Sequence, residues 1–164
     1  MKHILPIITI TTLAAAASAQ ATAASGLSYN RVGLGYDTDS KGYSLSASAL
    51  IGSSNFVVSA ETTIGGGSTS NGSDSVSLGY IFKNVALGAD ATLSIGSNES
   101  YGLGIRKDLG NNIEASLGYT RESGSNGYSI GLAYNLTKQY QIGVDYSKVS
   151  GASSETSIVL HYNF

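Results

Sequence analysis

The amino-acid sequence predicts an all-β protein, a closed antiparallel up-and-down transmembrane β-barrel of about ten strands, with eight strands as the alternative. Beyond the first two dozen residues, apolar side chains alternate with small or polar ones at period two, and no long segment has a helical period. Turn residues interrupt this alternation at regular intervals. The segments between turns have about 8 to 10 residues, close to the ~9–11 that a tilted membrane strand needs.

Residues 1–23 predict a secretory signal peptide. A short basic start, residues 1–3, precedes an apolar run at residues 4–13 that falls short of the ~20 residues a spanning helix needs. Small residues then offer cleavage after Ala19 or after Ala23. The predicted barrel domain is residues 24–164.

The composition argues against several classes of protein. Nine Lys and Arg residues stand against eleven Asp and Glu residues, a formal net charge of −2, so the basic patch of a nucleic-acid-binding protein is not expected. The chain has no cysteine, which excludes disulfides and thiolate chemistry. Gly and Ser are abundant, but the regular placement of apolar residues argues against a disordered chain.

The predicted strands each have an apolar face and a face of Gly, Ser, Ala and occasional charges. The apolar faces run through residues 32–36, 43–51, 56–62, 76–82, 85–93, 101–105, 113–119, 128–134, 140–146 and 156–164. With both ends of the barrel in the periplasm, short periplasmic turns are expected at 52–54, 83–84, 108–111 and 135–139. Longer extracellular loops are expected at 38–41, 65–74, 95–100, 122–126 and 148–153. If the hairpin around residues 29–51 is not formed, eight strands remain.

Aromatic residues favour a membrane barrel over a soluble sandwich, because they cluster near predicted strand ends while Val, Leu, Ile and Ala occupy the middles. Two aromatic girdles around an aliphatic belt are typical of barrels at two membrane interfaces. The extracellular girdle is predicted as Tyr36, Tyr43, Tyr101, Tyr119, Tyr128 and Tyr146. The periplasmic girdle is predicted as Tyr29, Phe56, Tyr80, Phe82, Tyr134, Tyr140, Tyr162 and Phe164.

The C-terminal strand resembles the assembly signal of bacterial outer-membrane proteins, in which a terminal aromatic follows alternating apolar residues. Ile158, Leu160, Tyr162 and Phe164 match that pattern. Residues 26–36 are similar to the first strand of small outer-membrane barrels of the YfaZ type and of the OmpA-like and opacity-porin group. This resemblance implies recognition by the barrel-assembly machinery, contact with outer-membrane lipid and lipopolysaccharide, and a monomer.

Seven ionisable side chains are predicted to face the lumen: Arg31, Glu61, Asp90, Arg106, Glu114, Asp145 and His161. Arg106 and Glu114 are expected to be cross-strand partners near the periplasmic end, and Arg31 and His161 to be neighbours across the closing seam. A charge in a narrow barrel needs a partner, so one interpretation is a salt-bridge plug. The other is a thin wet path.

The signs of these charges give the wet path a selectivity. Glu61, Asp90 and Asp145 are predicted at mid-barrel or above, whereas Arg31 and Arg106 are predicted low. An acidic upper lumen would favour cations.

The expected function is a structural role or a minor pore. An adhesin or host-contact surface protein is the first alternative, and a soluble secreted β-rich protein is the second. No catalytic residue, metal site or cofactor is expected, because the chain has no long loops for an extracellular rim and His161 points inward beside Arg31. Lys107 and Arg121 share the lipid-facing parity but sit at strand ends, where lipid phosphates lie. The connector from Gly65 to Asp74 has no aromatic or Arg anchor and is interpreted as flexible.

Overall fold

The computed structural model describes residues 26–65 and 74–164. The predicted signal peptide and most of the connector between residues 65 and 74 lie outside the described residues. No helix among the described residues is long and apolar enough to cross a bilayer.

Ten antiparallel strands form one closed barrel, in which β1 pairs with β10 and every other neighbour is consecutive in sequence. They are β1 Arg31–Asp37, β2 Tyr43–Leu50, β3 Phe56–Ile64, β4 Asp74–Ala86, β5 Ala89–Gly96, β6 Ser100–Gly110, β7 Ile113–Glu122, β8 Ser125–Asn135, β9 Tyr140–Val149 and β10 Ser154–Asn163. The ten-strand prediction is confirmed. The eight-strand alternative is wrong, since β1 and β2 form a paired hairpin.

Closure joins the first strand to the last from Arg31 opposite Asn163 to Asp37 opposite Ser157. A closed barrel leaves no strand edge without backbone partners, the condition that a lipid environment imposes on a spanning sheet. By the predicted orientation, the end that carries Asn30 and Phe164 is the periplasmic end, and the opposite end is extracellular.

The predicted turn at residues 83–84 is wrong. β4 continues to Ala86, and the chain reverses at Leu87 and Gly88, with φ of 52° and 78°. Positive φ at both central residues is what the tightest hairpin turns require. Lys83 and Asn84 are turn-type residues, but they form an irregularity in the ladder between Phe82 and Ala86 instead. Val85 and Leu87 therefore do not belong to β5.

Several extracellular connections are shorter than predicted. β7 and β8 are joined by Ser123 and Gly124 alone, with φ of 47° and 86°, and β5 and β6 are joined by residues 97–99. The strands continue through residues that the Gly and Ser content had assigned to loops. The extracellular rim is therefore low beside β5 to β8, where these two short connections lie.

The outer surface is an aliphatic belt. Leu34, Leu117 and Leu132 are 54%, 53% and 57% exposed. They face cross-strand partners of the same kind: Leu34 opposite Leu160, and Leu117 opposite Ile130. Monomeric soluble proteins rarely expose contiguous apolar surface on this scale. A belt of this kind is the lipid-facing surface of a transmembrane barrel.

Aromatic pairs stand near both ends of that belt. The rings of Tyr36 and Tyr43 are 5.2 Å apart at the extracellular end, and those of Tyr140 and Tyr162 are 5.4 Å apart at the periplasmic end. Further pairs join Tyr119 to Tyr128 and Phe56 to Tyr80. Tyr29, expected in the periplasmic girdle, is only 4% exposed and lies inside the barrel.

The inner wall repeatedly sets a glycine opposite a hydroxyl-bearing residue. Gly33 faces Ser46, Gly102 faces Ser94 and Gly118 faces Ser129. In the first two pairs the serine oxygen lies 2.6 and 2.5 Å from the position that a glycine Cβ would take. Since the hydroxyl leans over the glycine, the wall presents polar groups without filling the lumen.

Candidate lumen site

An ion-pair network crosses the lumen near its periplasmic end. The Nε of Arg106 on β6 donates to Oε1 of Glu114 on β7 at 2.6 Å, and Nη1 of Arg31 on β1 lies 4.0 Å from the same oxygen. Gln141 on β9 donates through Nε2 to Oε2 of Glu114 at 3.0 Å and to Asn135. Four strands are tied together through one carboxylate.

Arg106 and Glu114 are not directly opposite in the sheet. Arg106 is opposite Ser116, and Glu114 is opposite Asp108, so the pair is diagonal. Diagonal neighbours across antiparallel strands are within reach of long side chains. Parity and a short connection were sufficient to expect this pair, because both side chains had to face inward on consecutive strands.

Arg31 and His161 are also diagonal, across the seam between β1 and β10. Arg31 is opposite Asn163, and His161 is opposite Gly33. The His161 ring occupies the space that the missing Cβ of Gly33 leaves, with Cδ2 at 2.8 Å from that position. Nδ1 of His161 is buried and has no hydrogen-bond partner among the described residues.

Residues 26–30, which precede β1, enter the periplasmic mouth of the barrel. Leu27, Tyr29 and Asn30 are 2%, 4% and 3% exposed. Nη1 of Arg106 donates to the backbone oxygen of Ser28 at 2.9 Å, and the guanidinium lies 4.8 Å from the centre of the Tyr29 ring. A cation over an aromatic face is an attractive arrangement.

Asp90 lies low in the barrel, and its predicted position at mid-barrel or above is wrong. It is the second residue of β5, directly opposite Arg106, and it is 1% exposed. Its Oδ2 accepts a hydrogen bond from the Tyr29 hydroxyl at 2.9 Å, and Oδ1 accepts from the backbone N–H of Asn84 at 2.9 Å. The physical reason is the turn at Leu87 and Gly88, which starts β5 later in the sequence.

An apolar cluster occupies the side of the periplasmic mouth formed by β2, β3 and β4. It consists of Leu27, Tyr29, Leu50, Val57 and Ile81, and Ile81 is fully buried. The sequence interpretation missed this cluster because it treated the inner face as uniformly small. Large apolar residues at inward positions of three consecutive strands were the available signal.

A polar cavity of about 260 Å³ lies above this mouth, and we call it the upper cavity. Its lining is rich in hydrogen-bonding groups: Arg31, Ser46, Ser48, Ser59, Glu61, Ser75, Ser77 and His161. The register arranges them in rows across the strands, with Ser48 opposite Ser59 and Ser46 opposite Glu61. Hydroxyls and a carboxylate in rows suit water and small hydrated solutes.

Asp145 is the other carboxylate of the middle lumen, in the middle of β9 opposite Gly131 and Ser157. Its carboxylate leans over Gly131. Among the described residues, no ion pair within 4.0 Å includes Glu61 or Asp145. Both arginines of the lumen, in contrast, lie beside Glu114.

A second, larger space of about 1010 Å³ opens on the periplasmic side, and we call it the lower vestibule. Its lining includes Leu27, Ser28, Glu114, Gln141 and the turn residues Asn111 and Asn112. None of the described residues that line the upper cavity also lines the lower vestibule. The Arg31–Glu114 contact joins the two linings, since Arg31 belongs to the upper one and Glu114 to the lower.

The described residues contain no group of three or more His, Cys, Asp or Glu side chains placed to hold a metal ion. The groups that the described residues do place in the lumen are ion pairs, hydroxyl groups and an apolar cluster.

A closed, ten-stranded, up-and-down barrel with an apolar exterior and a polar interior has the architecture of an outer-membrane barrel. Two solved structures share that fold. A KdgM porin in complex with disordered oligogalacturonate matches with a TM-score of 0.52 and 15% identity, over 82% of this chain and 99% of that one. A KdgM porin structure matches with a TM-score of 0.50 and 16% identity over the same shares. No protein-family model matches the chain, and no curated protein has significant sequence similarity to it.

Proposed function

We propose that the protein is an integral outer-membrane β-barrel that serves as a narrow pore for small hydrophilic solutes and prefers cations. The upper cavity carries this proposal, since serine hydroxyls and the exposed Glu61 line it. A pore needs polar groups that replace part of the hydration shell without binding the solute tightly. Rows of hydroxyls meet that requirement.

The charges of the lumen support cations over anions. Glu61 and Asp145 have no cationic partner within 4.0 Å among the described residues, whereas Arg31 and Arg106 both lie at Glu114. Carboxylates that no cationic side chain contacts directly attract cations and repel anions in a low-dielectric passage. One of the two KdgM porin structures is a complex with oligogalacturonate, and the distribution of charge in this lumen does not support an anionic cargo of that kind.

The experiment is the reversal potential of the protein in a planar lipid bilayer under a KCl gradient. We expect K⁺ selectivity that falls in Glu61→Gln, because the substitution removes the exposed carboxylate and keeps the side-chain size. The matched control is Glu99→Gln, which changes an exposed carboxylate in the turn between β5 and β6. Anion selectivity, or equal selectivity in both variants, would contradict the proposal.

A purely structural role is the second candidate, and the ion-pair network supports it, because a network of four strands around Glu114 braces the barrel. A correctly folded barrel that never conducts would favour that role. The adhesin alternative lacks comparable support in the described part of the chain, where the connections 97–99 and 123–124 are short. We propose no enzymatic activity.

The finer assignments belong to the same proposal. Similarity of residues 26–36 to YfaZ-type and opacity-porin barrels supports a place among small outer-membrane barrels, although ten strands differ from the ~8 of OmpA-type barrels. Lipid and lipopolysaccharide would surround the belt, with Arg121 exposed at the extracellular end of β7 and suited to lipid phosphates. The barrel-assembly machinery would recognise Tyr162 and Phe164 at the C-terminal end of the barrel. The protein would function as a monomer, because one chain closes the barrel by itself.

A further inference from the structure

Residues 26–30 belong to no strand, yet Leu27, Tyr29 and Asn30 are buried inside the barrel, while Gly26 is exposed at its mouth. Leu27 and Tyr29 are as buried as core side chains, at 2% and 4% exposure. They contact the apolar side chains of Leu50, Val57 and Ile81 on the inner wall of β2, β3 and β4. A segment that served only to connect to β1 would be expected to lie in water at the mouth of the barrel.

Polar side chains of β2, β5 and β6 also hold the segment. Arg106 donates to the Ser28 oxygen at 2.9 Å, Ser48 donates to the Tyr29 oxygen at 2.8 Å, and the Tyr29 hydroxyl donates to Asp90 at 2.9 Å. All three bonds involve side chains, so none belongs to the strand ladder. Water can replace each of them if the segment leaves, without breaking the barrel wall.

The position of the segment separates two spaces. Leu27 and Ser28 line the lower vestibule, and Arg31, immediately after the segment, lines the upper cavity. The buried residues 27–30 lead from the lining of the vestibule to that of the upper cavity, and Arg106, bonded to Ser28 and to Glu114, lies beside them. Withdrawal of the segment would uncover the inner wall of β2, β3 and β4 that Leu27 and Tyr29 now contact.

We infer that residues 26–30 are a built-in plug that closes the lumen at its periplasmic mouth and opens the passage when it withdraws into the lower vestibule. This inference rests on the proposed pore function. Asn30 is the hinge, because its backbone oxygen accepts from Phe164 N–H at 3.0 Å and its Oδ1 accepts from Leu50 N–H at 2.8 Å. Arg106 stays in place after withdrawal through its 2.6 Å bond to Glu114.

A reversible disulfide tests the plug. A Cβ built on Gly26 lies 2.9 Å from Oδ2 of Asp108 on β6, so the side chains of Gly26→Cys and Asp108→Cys lie within reach of each other. Because Gly26 has a φ of 76°, loss of both free thiols on oxidation is the check that the disulfide has formed. The chain has no other cysteine. We expect the oxidised protein, purified from outer membranes and placed in a planar bilayer, to stop opening. Reductant added to the same protein should restore the openings.

A second variant loosens the plug without a covalent bond. Leu27→Ser with Tyr29→Ala removes the apolar contacts and the hydroxyl bond to Asp90, and we expect the open fraction of channels to rise at least about tenfold with unchanged open-state conductance. Tyr101→Ala removes an equally large ring from the outer surface, where Tyr101 is 60% exposed. That matched control should leave the open fraction unchanged. Heat-modifiable gel migration establishes that each variant is folded.

The outcomes separate the plug from the pore. Openings that respond to reductant, or to the loosening variant, support the plug. Equal conduction by oxidised, reduced and loosened proteins overturns the plug and leaves the pore standing. Silence from the wild-type and from the loosened variant, both folded, overturns the pore and the plug together.

Discussion

Glu114→Gln is the substitution that tests the lumen network most directly. Glu114 accepts from Arg106 at 2.6 Å and from Gln141 at 3.0 Å, and its side chain is 8% exposed against 12% for that of Arg106. A hydrogen bond to a charged group contributes ~1.5–3 kcal/mol, and removal of one partner from a buried ion pair costs ~3–5 kcal/mol. Arg106 keeps its bond to Ser28, so we expect a loss near the lower end of that range, about 3 kcal/mol.

The assay is urea unfolding of the barrel in lipid vesicles, followed by circular dichroism and gel mobility, since the chain has no tryptophan to report by fluorescence. A loss of about 3 kcal/mol lowers the folding equilibrium constant roughly a hundredfold. Glu99→Gln, at an exposed turn, is the control and should change the free energy of unfolding by less than ~0.5 kcal/mol. A double-mutant cycle with Arg106→Gln isolates the pair. Additive effects in that cycle, or a Glu114→Gln loss no larger than the control, would refute the reasoning.

Three further predictions concern the wall, the belt and assembly. Gly131→Ala places a Cβ against the Asp145 carboxylate and 2.5 Å from the Ser116 hydroxyl oxygen and should cost ~1–3 kcal/mol in urea unfolding, whereas Gly104→Ala, with nothing within 4 Å, should cost little; equal costs would contradict the wall geometry. Ile105→Arg, in the middle of β6 and 38% exposed, should cost ~2–4 kcal/mol of folding in vesicles, against ~0–1 for Tyr128→Arg near the rim; a reversed order would place the belt elsewhere. Phe164→Ala should lower the amount of barrel assembled in cells while leaving the refolded protein equally stable, and unchanged assembly would remove the proposed role of the C-terminal signal.

The strands and their closure were predictable from local chemistry. Period-two alternation defines an inner and an outer face on each strand, and a one-residue slip would exchange them. The same parity was enough to pair Arg106 with Glu114 and to place Glu61 and Asp145 on the inner face. Apart from closure, which pairs β1 with β10, none of these expectations required knowledge of contacts between distant segments, because neighbouring strands in a meander are neighbours in sequence.

What the sequence could not predict depends on competition between local and distant contacts. Lys83 and Asn84 have turn chemistry, but Leu87 and Gly88, a few residues later, form the turn, and Asn84 instead donates its N–H to Asp90. Tyr29 has the composition of a girdle residue, yet its hydroxyl bonds to Asp90, 61 positions away in sequence. Parity does not apply to a segment outside the strands, so its entry into the lumen had no local signal.

Arg106 connects two properties that the experiments must keep apart. It bonds to Glu114, which braces four strands, and to Ser28, which belongs to the plug. A substitution of Arg106 would lower the stability of the barrel and loosen the plug at once, so a change in conductance there would have two explanations. Leu27 and Tyr29 contact the wall without belonging to the ladder, and their truncation leaves the Arg106–Glu114 bond intact. If opening follows the state of those two side chains while heat-modifiable gel migration shows the barrel still closed and folded, closure of the lumen does not depend on the bond that braces the strands.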